Sequence, residues 1–303
     1  MEPQYDASEG ARPHAADGRE PRLASDVLKW LTRWARGSDQ VRAAVLGGSR
    51  ADPNADVDDL SDYDVELYVR SVEPFLRDDD WLEPFGPILV RWPATPRSTF
   101  DEAWITRLVL FRDGVRIDFQ ITENRSVDPE AHRNGYRVLV DKDGLTYGLP
   151  DPPHDRYVIE RPARDAFERI AAEFWWNATY VPKYLIRDEL PFAKFMLDGV
   201  LRSSYLDPMI EWSIGERNDW SVATGIHGRF FKRYLDGPTW AELETTYVGS
   251  GISETAEALR RMVALFRRLA LDLGARLGYA YPEALDRDVW RYCVRLLERL
   301  PRT

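Results

Sequence analysis

The sequence predicts an α+β fold, a mixed β-sheet domain followed by a helical domain, on three observations. Residues 108–111 and 115–121 are apolar runs on either side of Asp113-Gly114, a strong hairpin signal. Pro150, Pro152, Pro153 and Pro162 then mark a connector that cannot hold regular structure. Beyond it, apolar residues recur at three-to-four spacing almost to the end. The expected divisions are a disordered tail over 1–24, a sheet domain over 25–150 and a helical domain over 151–303.

The elements follow in order. Residues 1–24 are rich in Glu, Asp, Arg, Pro and Gly and bury too little apolar surface to offset ordering entropy. Ser25-Asp26 can cap a helix through Val27, Leu28, Leu31 and Trp34, with Gly37 as its stop. A first strand covers 41–46 and runs into Gly47-Gly48; residues 50–61 are polar and form a loop or short helix. A second strand covers 63–69, where Asp64, Glu66 and Tyr68 alternate with Val65, Leu67 and Val69. A short helix at 74–81, a strand at 88–92 and the hairpin complete the sheet domain. Helical spacing then marks 163–176, 181–199, 202–214, 225–235, 240–247, 254–277 and 282–300.

Composition narrows the function. The 44% hydrophobic content and 11 Trp describe a folded globular protein. A net charge of −10 argues against a nucleic-acid partner, which needs a basic face, and suits a cationic small molecule. The single cysteine, Cys293, excludes an internal disulfide framework and a cysteine metal cluster. No apolar run approaches the ~20 residues of a membrane span. There is no secretory signal pattern, so the expectation is a cytoplasmic protein without a membrane partner.

The chemistry concentrates in Leu46-Gly47-Gly48-Ser49-Arg50 and Asp62-Tyr63-Asp64. Gly47 and Gly48 let backbone N–H groups approach a phosphate, and Ser49 adds a hydroxyl. On a strand Asp62 and Asp64 share one face, where two carboxylates repel unless a cation sits between them. A divalent metal carried with a nucleotide triphosphate is the usual solution. Asp118 stands between Ile117 and Phe119 on a strand headed for the core, where an unpartnered charge is costly. It would hold a second ion or the attacking hydroxyl. Glu66 reads as solvent-exposed. The four histidines lack metal-ligand spacing, and neither a Walker sequence nor a serine elbow is present. In the second half Lys183 could meet a triphosphate, and Glu189, flanked by Leu185 and Leu190, could act as general base.

These residues resemble the aminoglycoside 6-adenylyltransferases, the streptomycin-modifying family, from about residue 25 to the end. The likeness is carried by Gly48-Ser49-Arg50-Ala51-Asp52-Pro53-Asn54, Asp62-Tyr63-Asp64, Leu110-Phe111-Arg112-Asp113-Gly114, Ile117-Asp118, Glu173-Phe174-Trp175, Tyr180-Val181-x-Lys183 and Tyr279-Ala280-Tyr281-Pro282-Glu283. It implies the nucleotidyltransferase fold, with a mixed sheet bearing the metal carboxylates ahead of a helical bundle. It also implies transfer of AMP from ATP, with Mg2+, to the 6-hydroxyl of streptomycin. Asp62, Asp64 and Asp118 then match the metal carboxylates and Gly48 and Ser49 the phosphate turn, with Arg50 and Lys183 the further residues expected on the nucleotide. Trp176, Tyr180 and Asp188 would supply the aromatic faces and carboxylate that guanidinium groups want. Gly47, Glu66 and the acidic tail depart from the family's pattern and leave the acceptor open. Another aminoglycoside, a lincosamide or a protein side chain would use the same chemistry. A non-catalytic binder has no reason to keep three mutually repelling carboxylates. The expected state is a monomer or weak oligomer.

Overall fold

The structure, a computed structural model, describes residues 23–95, 104–155 and 157–300. The chain divides into two compact units, Met1–Arg156 and Tyr157–Thr303.

In the first unit the strands are β1 (Val41–Leu46), β2 (Tyr63–Val69), β3 (Ile88–Trp92), β4 (Ile105–Phe111), β5 (Arg116–Thr122) and β6 (Arg137–Asp141). They form one sheet in the order β3-β4-β5-β2-β1-β6. The β2–β5 pair is parallel and the remaining pairs are antiparallel. The hairpin between β4 and β5 turns at Asp113-Gly114 as its sequence requires, with Gly114 at φ +86. β6 is an addition to the sequence reading, an edge strand whose Leu139 and Val140 are buried.

Alternation gives the sheet two unlike faces. Val65, Leu67, Ile117, Phe119 and Ile121 point into the main core, where α1 (Ala24–Gly37) adds Val27, Leu31 and Ala35. Trp34 and Trp81 close that core with Phe85, Phe111 and Phe119, in edge-on and tilted contacts. The opposite face carries Asp64, Glu66, Asp118, Gln120 and Thr106, with Thr106 donating to Gln120 at 2.8 Å.

Three local expectations change. The tail expected over 1–24 lies outside the described residues up to residue 22, and α1 begins at Ala24. Its N-cap is Leu23 without a side-chain cap, so Ser25 and Asp26 sit inside the first turn, where Asp26 favours the helix dipole. The single helix expected at 74–81 is α2 (Glu73–Arg77) followed by a 3-10 turn (Asp80–Phe85). The break serves Asp79, which turns inward to accept from the fully buried Arg107, its Nε at 3.0 Å.

In the second unit α3 (Arg164–Ala178), α4 (Tyr180–Ile186), α5 (Leu190–Lys194), a π-helix (Phe195–Leu206) and α6 (Asp207–Arg217) come first. Then follow α7 (Phe231–Tyr234), α8 (Gly237–Glu244), α9 (Ile252–Leu277) and α10 (Glu283–Leu297). The 26-residue α9 buries Leu259, Met262, Val263, Phe266, Leu269, Ala270 and Leu273 along one face, and Phe174 stacks on Phe266 at 3.7 Å. The helix expected over 181–199 breaks at Asp188, which takes φ +58, a conformation that aspartate tolerates. No break follows at 199–202. Gly199 serves packing there, since an added Cβ would stand 3.3 Å from the Phe195 ring. Gly225 and Gly228, both at φ +71, reduce the helix expected at 225–235 to the four residues of α7.

The matched segment near the C-terminus has a structural use. Tyr281 donates to Asp286 at 2.8 Å and accepts from Trp175 at 3.1 Å, and Arg267 grips Asp286 through two bonds of 2.6 and 2.5 Å. That network ties α3, α9 and α10 together around a nearly buried carboxylate. Among the described residues no helix is long and apolar enough to cross a membrane.

Candidate active site

The acidic face of the first unit is built by register. In the parallel β2–β5 pair Asp64 is the direct partner of Asp118, and neighbouring strands lie about 4.8 Å apart. Both side chains leave the sheet on the face away from the core. Asp62 lies one residue ahead of β2 and is partly exposed. These three carboxylates are the ones the sequence singled out.

The glycine turn seats itself on this cluster. The Gly47 N–H donates to the Asp64 carbonyl at 2.8 Å, and Gly48 takes φ +60. A Cβ on Gly48 would stand 1.7 Å from Asp64 Oδ2, so the carboxylate occupies the space a side chain would need. Glycine is required there twice over, by backbone angle and by approach. Ser49 and Arg50 follow in the turn. The Arg50 guanidinium faces inward: it donates to the carbonyls of Asp58, Ser61 and Asp62 at 2.8–3.2 Å and lies 4.0 Å above the Tyr63 ring. It staples the loop 51–61 and so holds Asp62 in place. Those bonds give Arg50 a structural role in the loop, beside the nucleotide contact that the sequence reading expects of it.

Electrostatics fit a site made for a cation. Burial, then the Asp118 and Asp62 charges, push the Asp64 carboxyl above the usual carboxylate range, with Arg116 opposing them. Arg116 forks onto Asp118 at 3.0 and 2.9 Å and reaches Asp62 at 3.5 Å. Among the described residues no three Asp, Glu, His or Cys side chains are drawn together as a finished metal cluster. The donor set nonetheless suits a hard divalent ion: carboxylates only, on one face, already gathered around a positive group.

The sequence reading took Glu66 as solvent-exposed and gave His132 no role, and the structure pairs the two. Glu66 is not simply solvated. It accepts from the Tyr68 hydroxyl at 2.7 Å and pairs with His132 Nε2 at 3.3 Å. His132 is nearly buried, and its Nδ1 lies 2.9 Å from the Asp128 carbonyl. Burial pulls the imidazole pKa down, but the Glu66 bond and charge outweigh it and raise it above its ordinary 6.5. Both ring nitrogens face acceptors, so the imidazolium is the form that satisfies them. His132 lies 66 positions from Glu66 in the chain, and no local pattern pairs them. A cavity of about 670 Å3 beside β3, lined by Asp79, Glu83, Ile88 and Arg91 among others, shares no residue with this face.

The second unit gathers its own set. Tyr180 and Tyr184, one turn apart on α4, lie parallel with centroids 6.2 Å apart. Lys183 Nζ stands 5.7 and 5.3 Å from their rings. Trp176 is exposed and meets Tyr180 edge-on at 6.5 Å, and Phe192 extends the row from Tyr184 at 4.3 Å. Asp188 and Glu189 occupy the exposed turn between α4 and α5, pinned by backbone bonds to Leu185 and Tyr184. Trp176, Tyr180 and Lys183 thus share one surface, with Asp188 and Glu189 on the turn that follows.

A family model described as Streptomycin adenylyltransferase matches residues 22–296. An aminoglycoside 6-adenylyltransferase of Bacillus subtilis (strain 168) is 33% identical over 276 residues, covering 89% of this chain and 96% of that protein. One of the same description from Campylobacter jejuni is 29% identical over 277 residues, covering 90% and 96%. A crystal structure of an aminoglycoside 6-adenyltransferase from Bacillus subtilis is 28% identical, with a TM-score of 0.46, and the match covers 91% of this chain and 98% of that one.

Proposed function

Because this chain belongs to the streptomycin adenylyltransferase family, we propose that it transfers the adenylyl group of ATP, with Mg2+, to the 6-hydroxyl of streptomycin and so inactivates the drug. The observation that carries the reading is the parallel register of Asp64 with Asp118, with Asp62 two residues before Asp64 and Gly48 under its carboxylate. A bound divalent cation would be held by Asp62, Asp64 and Asp118 and would neutralise the charge that develops on the triphosphate.

The chain's own residues take the remaining work. Gly48 and Ser49 offer backbone N–H groups and a hydroxyl to phosphate oxygens. Lys183 brings a positive charge to the triphosphate. Glu189 takes the proton of the acceptor hydroxyl as its oxygen closes on the α-phosphorus and the bond to the departing pyrophosphate breaks. The faces of Trp176 and Tyr180 and the Asp188 carboxylate suit the guanidinium groups of streptomycin.

The test is incubation with ATP, Mg2+ and a panel of acceptors, with products weighed by mass spectrometry. An AMP adduct on streptomycin supports the reading; turnover confined to another aminoglycoside, a lincosamide or a protein overturns the acceptor. Asp64→Asn keeps the size of the side chain and is expected to lower turnover by roughly a hundredfold or more, the scale of losing one preorganised electrostatic group. Full activity in that variant would remove the metal assignment.

A further inference from the structure

Arg116 is the one cation that reaches two members of the carboxylate triad among the ion pairs described. It opens β5 two residues before Asp118, so alternation places both side chains on the acidic face. Its Nε and Nη2 meet the two Asp118 oxygens at 3.0 and 2.9 Å, the parallel fork that guanidinium and carboxylate favour. Its Nη1 stands 3.5 Å from Asp62 Oδ2. We propose that Arg116 is a resident counter-ion, which holds the acidic face together until a divalent cation displaces it and thereby sets the metal affinity of the site.

The inference rests on reading the triad as a metal site, and it explains why that triad is not drawn up as a finished cluster. Oxygens spread to match a planar fork cannot at once converge on a point charge. Both Asp118 oxygens are engaged by the guanidinium, so an ion that uses them must take them from Arg116. The exchange is open because Arg116 is 44% exposed and has water to move into. A buried guanidinium would block the site, whereas a half-exposed one only competes. When no ion is bound, the competition is useful. Three adjacent carboxylates at the ends of two parallel strands would otherwise push the strands apart.

Manganese titration, read from the electron paramagnetic resonance signal of free aqueous Mn2+, tests this without any turnover. R116Q removes the competing charge and is expected to bind Mn2+ roughly two- to fivefold more tightly than the parent, the range that partly exposed ion pairs supply. Metal-free R116Q is expected to melt below the parent, and saturating Mn2+ to raise its melting temperature by more than it raises the parent's. R116K keeps the charge but loses the fork, so its affinity is expected between the two. It carries the test if R116Q does not fold. Affinity in either variant equal to or weaker than the parent's overturns the proposal. Asp64→Asn separates the two levels of argument. If it binds Mn2+ as well as the parent, the metal reading falls and the counter-ion with it. If it loses Mn2+ while R116Q is unchanged, only the counter-ion falls.

Discussion

Gly48 shows how little room single residues leave in this face. An alanine there would put its Cβ on top of Asp64 Oδ2 and hold a side chain at φ +60. Gly48→Ala is expected to cost about 1–3 kcal/mol of stability from backbone strain and displacement of the carboxylate. Turnover is expected to fall with it, and urea melts beside an adenylylation assay would show both. An unchanged melt with full activity would mean that the turn relaxes freely. His132 makes a pH statement. Its pKa is raised in the folded protein, so the stability it adds is complete below the ordinary 6.5 and is lost as pH rises through the folded value. The groups around it are Glu66, the Asp128 carbonyl and the edge-on ring of Tyr136. Melting temperature is therefore expected to decline in the parent as pH rises above 6.5. His132→Gln is expected to flatten that decline and to lower stability at pH 6 by about 1–3 kcal/mol, the worth of a charged hydrogen bond. An identical slope in both proteins would assign the decline to other groups.

Among the elements, the loop 51–61 depends on one side chain. Arg50 spends its guanidinium on three carbonyls and the Tyr63 face, so Arg50→Ala is expected to release the loop from Asp58 to Asp62. Hydrogen exchange should then quicken at those amides while β1 and β2 stay protected, and the KM for nucleotide should rise more than kcat falls. Equal protection in the variant would show that the loop holds itself. The contrast between Arg50 and β2 marks what a sequence makes visible. β2 and β5 declared themselves by alternation and by the Asp113-Gly114 turn, both written within a few residues, and the three aspartates came with them. Asp118 betrayed itself as a charge inside an apolar strand. What stayed hidden is fixed by partners far along the chain. The Glu66–His132 pair and the Arg116–Asp62 bridge join side chains 66 and 54 positions apart, and the Arg50 guanidinium, although its partners are only 8–12 residues on, bonds backbone carbonyls that no side-chain pattern marks. β6 was hidden because Val138, Leu139 and Val140 make too short an apolar run to alternate, and pairing with β1 decides it. The helix break at Asp188 turned on a left-handed backbone angle in a residue other than glycine, and composition gives no sign of that.

Across the whole molecule, the buried side chains fall into separate clusters, one within the second unit and two within the first. Damage to one core should therefore stay in its own unit unless the two unfold as one cooperative body. Phe266 is the most discriminating place to ask. It is fully buried on α9 and lies flat against Phe174 at 3.7 Å, so Phe266→Ala removes a large side chain and leaves its stacking partner without a surface. The expected cost is about 3–5 kcal/mol, the range for truncating a buried aromatic. Hydrogen exchange read by mass spectrometry should show α3, α6 and α9 losing protection while the amides of β2 and β5 keep theirs. Because Asp64, Asp118 and Arg116 stand on the sheet and Asp62 one residue ahead of β2, all in the first unit, Mn2+ affinity should stay within about twofold of the parent, the scatter expected between distant sites. On the roles proposed for Lys183, Glu189, Trp176 and Tyr180, adenylylation should nevertheless fall, since the damaged unit carries all four. Were β2 and β5 to lose protection in step with α9, the chain would be a single cooperative unit despite its separate cores, and stability measured anywhere in it would report on the acidic face as well.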